Sequence, residues 1–208
     1  MIDADWDKSV WQGIEPLQIG LSHWPTQTEH HPQTEAKLQY DADNLYVAFQ
    51  VQDQYVRAAA TDIHGEVWKD SCVEFFFAPY TAVPSSYFNL EVNCCGVPLM
   101  QHHDGPRAGS CFLDVEQCGK IEIAASLSGP IVQEISEPRV WTLEYRLPFE
   151  VLAEFPEFEK PVPGVCWHGN FYKCADDSSH PHWVAWSPIT REQPDFHRPD
   201  HFGRIKFM

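Results

Sequence analysis

Glu74 lies in the stretch EVWKDSCVEFFFA, residues 66–78, with aromatic and apolar residues around it. A carboxylate in such a setting can accept hydrogen bonds, hold a cation or move a proton. Trp68, six residues earlier, can present a flat apolar surface. Side chains alternate between the two faces of a strand. Val73, Phe75 and Phe77 would then fill a core, leaving Cys72, Glu74 and Phe76 on the other face. A buried, unpaired charge is costly, so we read this second face as a binding surface with Trp68 as a wall beside it. A Lys or Arg on the neighbouring strand, paired with Glu74, would also account for a carboxylate there.

Tyr87–Asn93 repeats the pattern, with Phe88, Leu90 and Val92 on one face and Tyr87, Asn89, Glu91 and Asn93 on the other. If the two strands pair, Glu74 lies beside Asn and Glu side chains. Such a patch supplies both donors and acceptors to a hydroxyl-rich ligand. On Arg139–Leu147, Trp141, Leu143, Tyr145 and Leu147 point inward and Thr142, Glu144 and Arg146 outward. Arg146 is therefore a candidate partner for a carboxylate or a ligand hydroxyl. Paired carboxylates such as Glu74 and Glu91 could do glycoside acid–base work, although the sequence does not set their separation. There is no GxSxG, no HExxH, no P-loop and no GxGxxG followed by a helix. The pairs His30/His31, His102/His103 and His180/His182 lack the sharper spacing usual at Zn2+ sites. The Asp41–Asn44 turn lacks the spacing and glycine of a calcium-binding EF-hand loop.

The elements that must position these groups are short. Glu35–Tyr40 and Leu45–Asp53 read as a hairpin around the Asp/Asn-rich turn. Further strands are expected over Cys72–Ala78, Tyr87–Asn93, Ile121–Ser126, Arg139–Leu147, Val165–Ala175 and Phe202–Phe207, with a brief one over Trp183–Trp186. Residues 94–120 read as irregular. Pro148–Phe155 reads as a short helix with proline at its first position. The expectation is an all-β fold, a β-sandwich of mainly antiparallel strands with one short helix. It forms a single domain over residues 1–208, in which residues 1–34 are an irregular lead-in.

Composition narrows the partners. The net charge of −16 over 208 residues repels phosphate backbones and argues against nucleic acid. No apolar run approaches the length of a membrane span. The seven cysteines include the adjacent pair Cys94 and Cys95 and no CxxC, which suits reduced thiols. The N-terminus has no signal-peptide pattern. A cytoplasmic location is expected, or a secreted one if a leader has already been removed. Eight Trp and thirteen Phe, several of them in loop-like stretches, point to aromatic surface. The C–H face of a pyranose ring is a natural partner for such a surface. Trp68 and Phe196 are singled out.

Four segments together carry a family resemblance: YDADNLYVAFQVQD, WKDSCVEFFFAP, YFNLEVNCCG and FHRPDHFGRIKF. In this order, over roughly residues 35–208, the chain resembles carbohydrate-binding module family nine and related family nine-like β-sandwich domains. The resemblance implies a sugar held between two aromatic rings, with an acid, an amide and a basic group on its hydroxyls. Position by position, Trp68 matches the first aromatic, Glu74 the acid and Asn93 the amide. The second aromatic, a Trp in well-known members, falls near Phe196. Where those members carry an Arg two residues after the amide, this chain has Cys95. Arg146 or Lys173 is then the candidate replacement. The family also implies association with glycoside hydrolases and is compatible with bound Ca2+. Related domains bind b-type haem, for which Met100 with His102 or His103 is the candidate set. The expected function is non-catalytic binding of mono- or oligosaccharides, or of polysaccharide chain ends, in support of carbohydrate catabolism. The alternatives are a hydrolase acting on O-glycosyl bonds at the same face and a haem-binding domain.

Overall fold

The computed structural model describes residues 1–24, 29–106 and 109–208. The strands among them, in chain order, are β1 (Leu17–Ile19), β2 (Gln33–Tyr40), β3 (Asn44–Asp53), β4 (Val56–Ala58), β5 (Cys72–Ala78), β6 (Tyr87–Asn93), β7 (Pro98–His103), β8 (Cys111–Phe112), β9 (Glu122–Ala125), β10 (Ile131–Ile135), β11 (Arg139–Pro148), β12 (Cys166–Cys174), β13 (Trp183–Ala185) and β14 (Gly203–Lys206). One sheet has the order β1-β2-β3-β11-β9. The other runs β13-β12-β5-β6-β7-β8, and β14 pairs with the first half of β12. A small ladder joins β10 to β4. All pairings are antiparallel, and the fold is the expected β-sandwich.

The alternation within the strands decides what is buried. Val47, Phe49 and Val51 of β3 and Trp141, Leu143, Tyr145 and Leu147 of β11 face Val73, Phe75 and Phe77 of β5 and Phe88, Leu90 and Val92 of β6 in one continuous core. A second apolar cluster lies on the outer face of the larger sheet and includes Phe76, Tyr87, Leu99, Tyr172 and Phe196. A sheet face open to water would not carry such residues. Here loops cover it, and they build the cleft described below.

The structure adds elements to the expected set. β7 and β8 fall in the stretch read as irregular, as does the helix α1 (Val115–Gly119). In α1, Asp114 accepts a hydrogen bond from the Gln117 backbone N–H, and the Gln117 side chain accepts one from Asp114 N–H. This is a capping box. The expected helix is present as α2 (Phe149–Leu152), but Pro148 precedes it as the N-cap rather than occupying its first turn. There are thus two short α-helices among the described residues where one was expected. Within the lead-in, β1 pairs with β2, and Trp6 and Trp11 pack against Ala48 on the outer face of the smaller sheet. Asp41 Oδ1 accepts the N–H groups of Asp43 and Asn44 at 2.8 Å each, so ordinary turn chemistry satisfies this loop. No helix among the described residues is long and apolar enough to cross a membrane.

Candidate functional site

Four central strands of the larger sheet, β12, β5, β6 and β7, build a floor. Glu74 of β5 lies opposite Glu91 of β6 and Tyr172 of β12, and Cys72 lies opposite Cys174. Gln101 of β7 lies opposite Asn89. Above this floor opens a cleft of about 440 Å³, within the range of small-molecule sites. Trp68, Trp183 and Phe196 are its aromatic walls. Glu74, Glu91, Asp176 and Asp195 supply carboxylates, and Gln101 and His197 complete the polar lining.

Each wall is held differently. Trp68 rides on a single 3-10 turn, Val67–Lys69, whose Val67 is buried. The Trp68 carbonyl accepts the Asp176 N–H at 3.2 Å and the Cys174 thiol at 3.4 Å, which ties the turn to the end of β12. Its ring remains half-buried. Trp183 opens β13, is also half-buried, and donates its indole N–H to Asp176 Oδ1 at 2.7 Å. Phe196 is the most enclosed of the three, only 9% exposed. Its ring stacks on Tyr172 at 4.0 Å between centroids, and Trp24 flanks it at 5.9 Å.

The floor is acidic and dry. Glu74 is 2% exposed and Glu91 5%. Glu74 Oε1 accepts the Cys174 thiol at 3.0 Å, whereas Glu74 Oε2 and Glu91 Oε2 have no protein partner. Glu91 Oε1 accepts Asn89 Nδ2 at 2.8 Å. No Lys or Arg among the described residues pairs with Glu74. Burial, followed by the neighbouring Cys174 and Glu91, holds the Glu74 carboxyl well above the usual range. Burial likewise pushes Glu91 up to about 7, against the opposing pull of the Asn89 hydrogen bond. Two facing carboxyls that both resist ionisation retain a proton near neutrality, so the floor both donates and accepts hydrogen bonds. Burial also raises Asp176, and its bond from Trp183 opposes the shift.

A raised folded-state pKa means that the folded protein binds more protons than the unfolded chain. Stability then falls as pH climbs from the unfolded carboxyl range, about 4.3, through about 7. Glu91→Gln is expected to reduce this slope, leaving the part due to Glu74, and to raise stability at pH 8 by about 1–3 kcal/mol. Urea unfolding of both proteins at pH 5 and pH 8 measures it. An equal loss of stability on going to pH 8 in the two proteins would contradict the assignment.

The structure brings Trp68, Glu74 and Phe196 together in the cleft. It does not bring Asn93, Arg146 or Lys173 there. Asn93 sits behind the wall: its Nδ2 donates to Asp70 Oδ2 and to the Ala60 carbonyl, and its Oδ1 accepts the N–H groups of Cys95 and Val97. Asp70 in turn accepts from the N–H groups of Ala59 and Ala60. Asn93 thus positions the loop carrying Trp68. Arg146 stands on the smaller sheet, paired with Glu122 at 3.2 Å. Lys173 points into the interior between the sheets. Its Nζ lies 2.7 Å from His182 Nε2, 2.9 Å from the Cys174 carbonyl and 3.4 Å from Asp53 Oδ2.

Of the histidines, His30 and His182 meet at that buried ion pair and His180 stacks on Tyr55 beside His30, rather than at the cleft. Met100 belongs to the sandwich core and His102 packs on Phe155, while His103 stacks on Tyr87 on the outer face. Trp183, Gln101 and Asp176 line the cleft and were not singled out from the sequence. The available signal was a Trp beginning a short apolar run directly after a polar loop that contains Asp176.

Comparison with known proteins places this architecture. A crystal structure of a Bacteroides uniformis protein described as carbohydrate-binding superposes with a TM-score of 0.85 at 30% identity, covering 94% of this chain and 87% of that one. A family 9 carbohydrate-binding module of Caldicellulosiruptor kristjanssonii, solved with cellotriose, gives 0.66 at 18% identity, covering 100% and 88%. The module from the same organism solved with glucose gives 0.62 at 17% identity, covering 100% and 91%. In sequence, an "Extracellular protein" of Arthroderma benhamiae is 22% identical over 189 residues, 85% of this chain and 79% of that protein. The sequence pattern of carbohydrate-binding family 9 matches residues 7–207, and the chain belongs to that family.

Proposed function

We propose that the protein binds saccharide in the cleft between Trp68 and Trp183, without catalysis, and that the bound units are of glucose type. The observation that carries this reading is the meeting, in one cleft, of two half-buried Trp rings and a buried carboxylate floor with unpartnered oxygens. Ring faces offer the apolar side of a pyranose a stacking surface. Glu74, Glu91, Gln101 and Asp176 offer donors and acceptors to its hydroxyls. Phe196, already stacked on Tyr172, closes the end of the cleft rather than serving as a free platform. The cellotriose and glucose complexes of the family 9 modules support the choice of glucose-type units.

Titrating glucose, cellobiose, cellotriose and xylobiose against intrinsic tryptophan emission tests the proposal. At least one is expected to shift the emission, with a reduced response in Trp183→Ala. An unchanged spectrum with all four would contradict it.

Two contextual readings belong to the same proposal. A non-catalytic module acts beside an enzyme that cleaves the polymer it binds, so association with a glycoside hydrolase is part of it; co-purification from the native host tests this. A cytoplasmic location is supported by seven thiols that are all unpaired.

A further inference from the structure

Beneath the saccharide cleft, β5 and β12 place three potential metal ligands on one face. Cys72 and Cys174 are direct cross-strand partners, and Glu74 follows Cys72 on the same face. One ligand atom from each residue lies within 4.8 Å of the other two. The Cys174 sulfur is 3.0 Å from Glu74 Oε1. Cys72 and Cys174 are at most 1% exposed. Glu74, 2% exposed, keeps its second oxygen without a protein partner. Two thiols and a carboxylate have therefore been gathered out of water, and no Lys or Arg among the described residues forms an ion pair with the carboxylate.

We propose that Cys72, Glu74 and Cys174 form a binding site for a thiophilic divalent cation of the Zn2+ class. Thiolate sulfur selects such ions over Ca2+ or Mg2+, which prefer all-oxygen shells. Zn2+ accepts sulfur at about 2.3 Å and carboxylate oxygen at about 2.0–2.2 Å, four ligands in all. The residues present supply three. Glu74 and Cys174 both line the cleft, so the remaining position opens toward it and takes a water or a ligand hydroxyl. Uptake exchanges the protons of the two thiols, and any proton on Glu74, for the cation, with no change of oxidation state. Binding therefore releases protons and tightens as pH rises. The other sheet-face carboxylate, Glu91, stands opposite Glu74 and adds to the negative field.

The test uses the full chain, reduced and stripped with a chelator, and Co2+ as the spectroscopic probe. Thiolate-to-cobalt charge-transfer absorption and tetrahedral d–d bands are expected, saturating at one equivalent and displaced by one equivalent of Zn2+. The Cys72→Ser/Cys174→Ser protein should lose the charge-transfer band, while Cys111→Ser, which removes an exposed thiol, should keep it. Loss of an outer-shell partner costs about 10–100-fold in metal affinity. Glu74→Gln, which removes a ligand and leaves both thiols, should weaken uptake at least that much while keeping the charge-transfer band. This variant keeps the test decisive if the double serine protein fails to fold. No charge-transfer band in the native protein, a band that survives in a folded double serine protein, or undiminished affinity in Glu74→Gln would overturn the site. No saccharide enters the assay, so its failure leaves the saccharide reading untouched, and the reverse also holds.

Discussion

Asp53→Ala is expected to destabilise the protein by about 3–5 kcal/mol, the usual cost of breaking a buried ion pair by removing one partner. Asp53 at the end of β3 and Lys173 near the end of β12 have fully buried side chains, and their charged atoms are 3.4 Å apart. The pair ties the smaller sheet to the strand that forms one side of the cleft floor. Asp53 also accepts the Gln54 N–H, the Trp141 indole N–H at 3.3 Å and a bond from His30. Against the desolvation that would raise it, the charge of Lys173 and the His30 hydrogen bond hold its carboxyl well below the usual range. His182 completes the network. Burial and the Lys173 charge keep its ring neutral, so Nε2 accepts from Lys173 and Nδ1 donates to the His180 carbonyl. Alanine at position 53 leaves the ammonium buried without its carboxylate.

The pH consequence has a definite sign. A carboxyl whose folded pKa is depressed stabilises fully above its unfolded value, about 3.9, and loses that contribution as pH falls below it. Chemical denaturation at pH 7 and near pH 3 should therefore show a large penalty for Asp53→Ala at the first and a smaller one at the second. Equal penalties at both would contradict the charge pairing.

Trp68→Ala is expected to cost about 2 kcal/mol or more of saccharide affinity, roughly 30-fold in Kd, with little change in unfolding midpoint. The ring is half-buried at the cleft. The anchoring of its turn runs through the backbone carbonyl, which alanine keeps. Asn93→Ala should behave in the opposite way. It removes four hydrogen bonds that hold the loop behind Trp68, so stability falls first and affinity follows from the displaced wall. Comparing the two variants by thermal unfolding and by ligand titration separates contact from positioning.

Much of this arrangement was legible before any coordinates. Cys72–Ala78 and Tyr87–Asn93 alternate so regularly that both their limits and their faces follow from period two, and their pairing sets Glu74 against Glu91. Periodicity assigns a face to a residue within its own strand, but not which sheet that strand joins. Arg146 points outward, yet from the smaller sheet. Lys173 lies on the correct strand but faces the interior, because its partner Asp53 is 120 positions away in the chain. β7 was not expected because Gln101, His102 and His103 make a polar run inside a stretch that reads as irregular. In the structure Gln101 and His103 are the outward half of an ordinary alternation. Trp183 opens the expected brief strand, whose three residues are too few for a period to assign its face. Its role depends on Asp176 and on a floor contributed by β12, β5, β6 and β7.

The most direct measurement of the central claim is isothermal titration of cellobiose and cellotriose into the native protein and into Trp68→Ala at matched concentration. Saturable heat at one site per chain in the native protein, lost or weakened about 30-fold in the variant, is the predicted result. Equal affinity in the two proteins, or no heat from the native one, would contradict the cleft as the saccharide site.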